Sequence, residues 1–242
     1  MKKWLLAIFF LPLAFVCAGC GTMKMDTAIK FNPDRSGDFQ LKMTVDGALV
    51  GFVAGEERDE SFERWGRVPS ARIREYDHDD KHIFEVTIPF QKPTQLKEAL
   101  GEMGYTVDFQ KRSTPFTHYY EASFAYPKEM VKELKSSLDA AEEPNEIFSQ
   151  AELNNMINSM FSFKASISLP GEIKTTNATV VDGQVASWTQ RLQQLDSTKI
   201  LKVSSQEPNR LGLTVTIGAV LLVSAFVIGG IKKARSPEPP EL

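Results

Sequence analysis

The chain has 242 residues, of which 28 are lysine or arginine and 31 are aspartate or glutamate, so the formal net charge is −3. Because several basic residues lie at the extreme ends, the part between them is more acidic still. An acidic domain argues against nucleic acid as a partner and against a basic platform for anionic lipid headgroups.

The first residues predict a secretory signal peptide over residues 1–19. Two lysines precede an apolar run over residues 4–16, which is too short to span a membrane comfortably and ends in small residues. The sequence Cys17-Ala18-Gly19-Cys20 resembles a bacterial lipobox, although Cys17 stands where leucine is usual. Cys20 is therefore the predicted lipidation site. The alternatives are an ordinary signal peptide cut after Ala18 or Gly19, or an uncleaved anchor helix.

Residues 20–210 are predicted to form one extracytoplasmic domain. If Cys17 is removed and Cys20 is acylated, no cysteine is left for a disulfide or a thiolate metal site. The segment is long enough for one substantial core, and neither a repeat nor a Pro/Gly/Ser-rich linker divides it.

In chain order, the patterns predict hairpins separated by helices. Alternating residues and turn formers predict hairpins at residues 24–45, 71–90 and 105–126. Helical spacing predicts helices within 46–68 and over 93–104, 127–141 and 151–161, and further strands follow at 163–169, 172–181, 185–189 and 200–204. The fold class is predicted to be α+β, with a mostly antiparallel, curved or barrel-like sheet and inserted amphipathic helices.

A C-terminal transmembrane helix is predicted over residues 211–231. These 21 residues carry no charged side chain, and as a helix they reach roughly 31 Å, close to the thickness of the hydrocarbon core. Lys232, Lys233 and Arg235 follow, as on a cytoplasmic side, and leave residues 232–242 as a cytoplasmic tail. We expect the inner membrane, with a single-pass helix and a lipid anchor, and the domain outside the cytoplasm. A buried core helix is the alternative.

The closing strands resemble the LppM-type domain of bacterial lipoproteins. The resemblance lies in residues 168–178 (SLPGEIKTTNA), in Asp182-Gly183-Gln184-Val185 and in Trp188, together with the early turn at residues 32–37 and the lipobox. It implies an envelope-anchored domain with a fold like that of lipid-binding proteins, and it brings no catalytic residues. Turn geometry and a core aromatic residue explain Pro170, Gly171, Asn177, Gly183 and Trp188 equally well.

One cluster and one separate histidine are candidates for chemistry. Residues 76–82 (YDHDDKH) hold two histidines and three aspartates, which could bind a divalent metal, but aspartates also favour hairpin turns and Lys81 would repel a cation. His118 has no nearby nucleophile in the sequence and is interpreted as a sheet residue. We therefore predict no catalytic residue, no metal site and no cofactor. Asn177-Ala178-Thr179 has the form of a glycosylation site, which a bacterial lipobox makes irrelevant.

Two functions remain, both without enzymatic activity. In the first, the domain encloses a lipid or another apolar ligand beneath helices rich in methionine and phenylalanine, namely Met130, Phe148, Met156, Met160, Phe161 and Phe163. In the second, the domain contacts other envelope proteins and these side chains fill the core. An enclosed apolar cavity would favour the first function, and a filled interior would favour the second.

Overall fold

The computed structural model describes residues 21–47, 64–140, 155, 158–196 and 198–234, without the side chains of residues 136–140 and 226–234. Its strands are β1 (Met23–Phe31), β2 (Gly37–Asp46), β3 (Arg72–His78), β4 (Lys81–Phe90), β5 (Thr106–Ser113), β6 (Thr117–Ala125), β7 (Phe161–Ser168), β8 (Glu172–Thr176), β9 (Val180–Asp182), β10 (Val185–Arg191) and β11 (Leu201–Pro208). Its helices are α1 (Pro93–Glu102), α2 (Lys128–Ala140) and α3 (Arg210–Ala234), with a short 3-10 helix at Leu192–Gln194.

Seven strands form the first sheet, in the order β3-β4-β2-β1-β7-β10-β9. The pairs β1·β2, β2·β4 and β3·β4 are antiparallel hairpin neighbours or close in sequence. β1 and β7 are parallel, with Met23 opposite Phe161, so the two halves of the chain meet in the middle of this sheet.

Four strands form the second sheet, in the order β5-β6-β11-β8, and all its pairs are antiparallel. The core lies between the two sheets. Phe31 of β1 stacks on Phe109 of β5 with 4.3 Å between ring centroids, and Tyr126 after β6 meets Phe163 of β7 edge to face at 6.3 Å. Alternation of buried and exposed residues along β1 and β6 directs side chains of these strands into the core.

The outward face of the seven-stranded sheet carries a row of alternating charges. Asp26 of β1 lies opposite Lys164 of β7 on one side and Lys42 of β2 on the other. Lys42 lies opposite Glu85 of β4 with 3.1 Å between Nζ and Oε1, and Glu85 lies opposite Arg74 of β3. Since opposite charges face each other across each of the four boundaries from β3 to β7, the row favours this register.

α3 is joined closely to the second sheet where it begins. Asn209 donates from its backbone N to Phe116 O at 2.9 Å and from Nδ2 to Thr114 O at 2.7 Å, while its Oδ1 accepts from Gly212 N at 3.0 Å. A Cβ on Gly212 would lie 2.2 Å from Pro115 O, so only glycine permits this approach. Beyond this contact, the described side chains of α3 from Leu211 to Val223 include many exposed apolar ones.

The prediction of an α+β fold with mostly antiparallel strands agrees with this architecture, but that of a single curved or barrel-like sheet is wrong. The described strands divide into two separate sheets, and the chain changes sheet at β4–β5, β6–β7, β7–β8, β8–β9 and β10–β11. Gly171, between β7 and β8, adopts φ +81, a conformation that favours glycine. The single strand predicted at residues 172–181 is accordingly two strands in different sheets.

The predicted transmembrane helix over residues 211–231 is also wrong. Over the ranges given above, no helix combines the length and the apolar character needed to cross a membrane. The sequence signal was the absence of charge over 21 residues together with a helical length of roughly 31 Å. In the structure the helix is longer, Arg210–Ala234, and includes the charged residues Arg210, Lys232 and Lys233 at its ends.

The three predicted hairpins and the helices at 93–104 and 127–141 are confirmed to within a few residues. The helix predicted within 46–68 lies mainly outside the described residues, which show helix only at 64–67. Most of the helix predicted at 151–161 lies outside them as well, as do the signal peptide and most of the C-terminal tail.

Candidate functional site

The candidate site is a groove on the outward face of the four-stranded sheet, which we call the Tyr119 groove. It has a volume of about 460 Å³. Six outward side chains form it in two rows of three, one from each of β5, β6 and β11. The first row is Gln110, Glu121 and Ser204, and the second is Arg112, Tyr119 and Gln206.

The alternation of β6 explains why these side chains point outward. Tyr120, Ala122 and Phe124 are buried in the core, so Tyr119 and Glu121 must lie on the opposite face. Tyr119 is 40% exposed although it is a large aromatic residue. Its neighbours across the strands are Arg112 and Gln206, so its ring is flanked by polar side chains on both sides.

The charges of the groove nearly balance. Arg112 Nη2 lies 3.8 Å from Glu121 Oε2, and both side chains are mostly exposed. An exposed ion pair of this kind is worth little to stability, about 0–1 kcal/mol, so both groups can be redirected toward a bound molecule at small cost.

Beneath the groove, Tyr120 contacts a charged side chain on each of the two neighbouring strands. Its hydroxyl donates to Glu207 Oε2 at 3.0 Å, and Lys111 Nζ lies 5.3 Å from the centre of its ring. Lys111 also donates to Pro33 O at 2.7 Å, which ties β5 to the β1–β2 turn. Burial, and then the hydrogen bond to Glu207, raise the pKa of Tyr120 above its usual value, so it remains a neutral donor.

His118, interpreted from the sequence as a sheet residue without a nearby nucleophile, has a serine beside it in the structure. The β5–β6 hairpin places Ser113 opposite His118, with 2.8 Å between Ser113 Oγ and His118 Nδ1. In a catalytic pair a third group must orient the histidine. Glu207 lies opposite His118 on β11, but its carboxylate accepts the hydrogen bond from Tyr120. The Ser113–His118 contact is therefore interpreted as a hydrogen bond that joins the two strands of the hairpin.

The histidine and aspartate cluster lies at the β3–β4 turn. Asp79 and Asp80 adopt φ +49 and +58 there, as residues of a tight turn do. His82 is enclosed by carboxylates, with Nε2 2.8 Å from Glu75 Oε1 and Nδ1 2.7 Å from Asp77 Oδ1. In the described part of the chain, no group of three or more His, Cys, Asp or Glu side chains is arranged to hold a metal ion.

The residues that carry the family resemblance have structural roles. Trp188 is buried, and its Nε1 donates to Asn177 Oδ1 at 3.0 Å. Gly171 and Gly183 adopt positive φ in turns. A Cβ on Gly171 would lie 2.2 Å from Gln206 O, so the chain passes close to the groove strand β11 there.

The predicted ligand-enclosing residues are only partly described. Phe163 is buried in the core, while Met130 and Phe161 are half-buried and pack against it. Phe148 and Met156 lie outside the described residues. So does Cys20, but the residues that follow it are fixed: Gly21 is buried, and Thr22 donates from N and Oγ1 to the two carboxylate oxygens of Asp46.

Comparisons with known proteins give distant similarities. No protein-family model matches the chain. A protein of Archaeoglobus fulgidus, described as uncharacterized, is 24% identical over 236 residues, which cover 96% of this chain and 98% of the relative. The NMR structure of the folded domain of Mycobacterium tuberculosis LppM matches with a TM-score of 0.36 and 12% identity, over 77% of this chain and 90% of that domain. The resemblance to the LppM-type domain therefore continues to rest on the residues quoted above.

Proposed function

We propose that this chain is an envelope lipoprotein, anchored by lipid on Cys20, whose domain binds a protein partner and catalyses no reaction. The observation that carries the proposal is the Tyr119 groove. It presents an exposed tyrosine beside an arginine on the outward face of a sheet, and tyrosine and arginine are enriched among residues that dominate binding energy at protein interfaces.

The described interior supports a protein partner over an enclosed apolar ligand. A chain of aromatic rings runs between the sheets from Trp65 through Tyr105, Phe124 and Tyr126 to Phe163. Successive ring centroids are 5.1 to 6.3 Å apart. Contacts at this spacing leave no room for an acyl chain along the line of rings.

The groove also has the mixed composition of a protein interface. Gln110, Gln206 and Ser204 can donate and accept hydrogen bonds, Arg112 only donates, and Glu121 only accepts. The strands fix the backbone of all six residues in place, so little backbone freedom is lost when a partner binds. The lipid ligand predicted from the sequence is the second candidate, and Met130 and Phe161 at the edge of the core are the side chains that would meet it.

Photocrosslinking tests the proposal. A benzophenone amino acid replaces Tyr119 in the full chain, in the cells that produce it, and replaces Tyr76 in a matched control. Tyr76 is 39% exposed and lies on the other sheet. We expect one recurring protein adduct at position 119 and none at position 76. Equal adducts at both positions, or only lipid adducts at position 119, would overturn the proposal.

Binding by purified proteins completes the test. Tyr119→Ala should weaken binding of the crosslinked protein by roughly thirtyfold, since an interface residue of this kind is worth about 2 kcal/mol or more. Tyr76→Ala should leave the affinity unchanged. Mass spectrometry of the mature N-terminal peptide should show a diacylglyceryl group on Cys20, and an unmodified Cys20 would contradict the lipid anchor.

A further inference from the structure

We infer that the acylated domain rests directly on the bilayer through the end of the seven-stranded sheet at which β1 begins, with the Tyr119 groove at the far end. The inference rests on the proposed function only for acylation of Cys20. It assigns a lipid-facing surface and a water-facing binding site.

The first step is that almost no slack separates Cys20 from the fold. Gly21 is buried, and the backbone N and the hydroxyl of Thr22 both donate to the carboxylate of Asp46. Met23 then opens β1 and is paired on both sides, with Val45 and with Phe161. Since an extended residue spans at most about 3.6 Å, covalent geometry alone limits the distance between the Cα atoms of Cys20 and Thr22 to about 7 Å.

The second step is the identity of the surface beside that point, which we call the membrane edge. It comprises Thr22, Asp46, Lys81 and the turn residues Asp79 and Asp80, because Asp46 lies opposite Lys81 at the start of β4. These side chains are polar or charged, so they suit the hydrated headgroup layer and not the hydrocarbon. Three carboxylates against one lysine give no electrostatic attraction to anionic lipids, and the anchor alone must hold the edge in place.

The third step is the position of the groove. β1 runs from Met23 to Phe31, a rise of about 26 Å at about 3.3 Å per residue. At its far end Phe31 stacks on Phe109, and Lys111 reaches the carbonyl of Pro33. Gln110 and Arg112 of the groove are the neighbours of these residues on β5. The groove is therefore displaced from the membrane edge by most of the length of a strand, and a partner approaches it from the aqueous phase.

Depth-dependent quenching tests this orientation. Cys17 leaves with the signal peptide and Cys20 is blocked by lipid, so an introduced cysteine supplies the single reactive thiol. Lys81→Cys and Gln110→Cys, both exposed in the native protein, are labelled with a fluorophore in the full acylated chain. The protein is reconstituted in phosphatidylcholine vesicles that carry a headgroup-region quencher. We expect several-fold stronger quenching at position 81 than at position 110.

Controls separate this inference from the proposed function. His78→Cys and Gln206→Cys form a second pair, used if either first variant fails to fold. A ten-residue Gly/Ser insertion between Gly21 and Thr22 should remove the difference between the two labels. Equal or reversed quenching in protein whose Cys20 acylation is verified by mass overturns the orientation alone. An unacylated Cys20 overturns the proposed anchor, and with it this inference.

Discussion

Asn177 joins the two sheets with a single side chain. Its Oδ1 accepts from Trp188 Nε1 in the seven-stranded sheet and, at 2.8 Å, from Lys202 N in the four-stranded sheet. Its Nδ2 donates to Ile200 O at 2.8 Å. Because an indole N–H buried without a partner pays its full desolvation cost, this asparagine is important for stability.

We predict that Asn177→Ala lowers the free energy of unfolding by about 1–3 kcal/mol, the usual cost of a buried donor left unpaired. Urea denaturation followed by tryptophan fluorescence measures the change. Thr189→Ala, at an exposed position of the same strand as Trp188, is the control and should change stability by less than about 0.5 kcal/mol. Equal effects of the two substitutions would contradict the role of Asn177.

A second prediction compares two glycines. Gly171→Ala should destabilise the protein by more than about 1 kcal/mol, because φ is +81 and the new Cβ would meet Gln206 O at 2.2 Å. Gly101→Ala in α1 meets nothing within 4 Å, and it should be neutral or stabilise by up to about 1 kcal/mol. Thermal unfolding of both variants checks this, and a Gly171→Ala protein as stable as the wild type would refute the close approach.

At the scale of elements, the charge row crosses five neighbouring strands and includes Glu85. Burial alone would raise the pKa of the Glu85 carboxyl. The hydrogen bonds from Lys42 and Tyr76 and the positive charges of Lys42 and Arg74 together outweigh burial and lower the pKa. Tyr76 donates to Glu85 Oε1 at 2.9 Å. The pairing is therefore strongest when Glu85 is ionised.

The sign of the pH dependence follows from the lowered pKa. The stabilisation is fully present above the unfolded value, about 4.3 for glutamate, and is lost as the pH falls through the folded value. We predict that wild type exceeds Glu85→Gln in stability at pH 7 and that the difference shrinks below about pH 4. Urea titrations across this range measure it. A difference that stays constant down to pH 2 would exclude the ionic contribution. The single variants Glu85→Gln and Lys42→Gln and the double variant together form a double-mutant cycle, which isolates the interaction energy between the two side chains.

Most elements were predictable from the sequence because their signals are local. The turn at Asn32 to Gly37 and the proline that opens α1 are signals within a few residues of the elements they bound. The division of residues 172–182 between two sheets was not predictable from the sequence. β-type residues run through both strands, and Asn177 between them bonds to Lys202 in one sheet and to Trp188 in the other, which are distant in the chain. The row of charges likewise depends on register, which no single strand encodes.

At the scale of the whole molecule, the pairing of β1 with β7 is the late step that we expect in folding. β2 and β4 lie close to β1 in sequence, whereas β7 follows more than a hundred residues later. Closing a long loop costs entropy before the contacts compensate for it, so local hairpins should form first.

Two matched substitutions test this order. Ile88→Val in β4 and Ile167→Val in β7 each remove one buried methylene and should cost about 0.5–1.5 kcal/mol. We predict that Ile88→Val slows folding, whereas Ile167→Val mainly accelerates unfolding. Stopped-flow chevron plots give both rates. If Ile167→Val slowed folding as much as Ile88→Val did, the β1–β7 pair would belong to the transition state.

The candidate site shows where prediction from sequence ends. The alternation of residues 117–125 predicts that Tyr119 and Glu121 share a face. It does not predict the neighbours of Tyr119, since Gln206 comes from a strand far along the chain and its position depends on the packed sheet. The pairing of His118 with Ser113 likewise depends on the register of the β5–β6 hairpin.

The joint at Asn209 has a mechanical consequence. Hydrogen bonds to Thr114 and Phe116 and the close approach of Gly212 to Pro115 fix the first turn of α3 against the β5–β6 turn, so the helix has no free hinge there. A tilting force on α3 is transmitted to this turn and along β6, on which Tyr119 lies three residues beyond Phe116. A force that tilts α3 would therefore also act on the strand that carries Tyr119, and a partner bound in the groove would in turn act on α3.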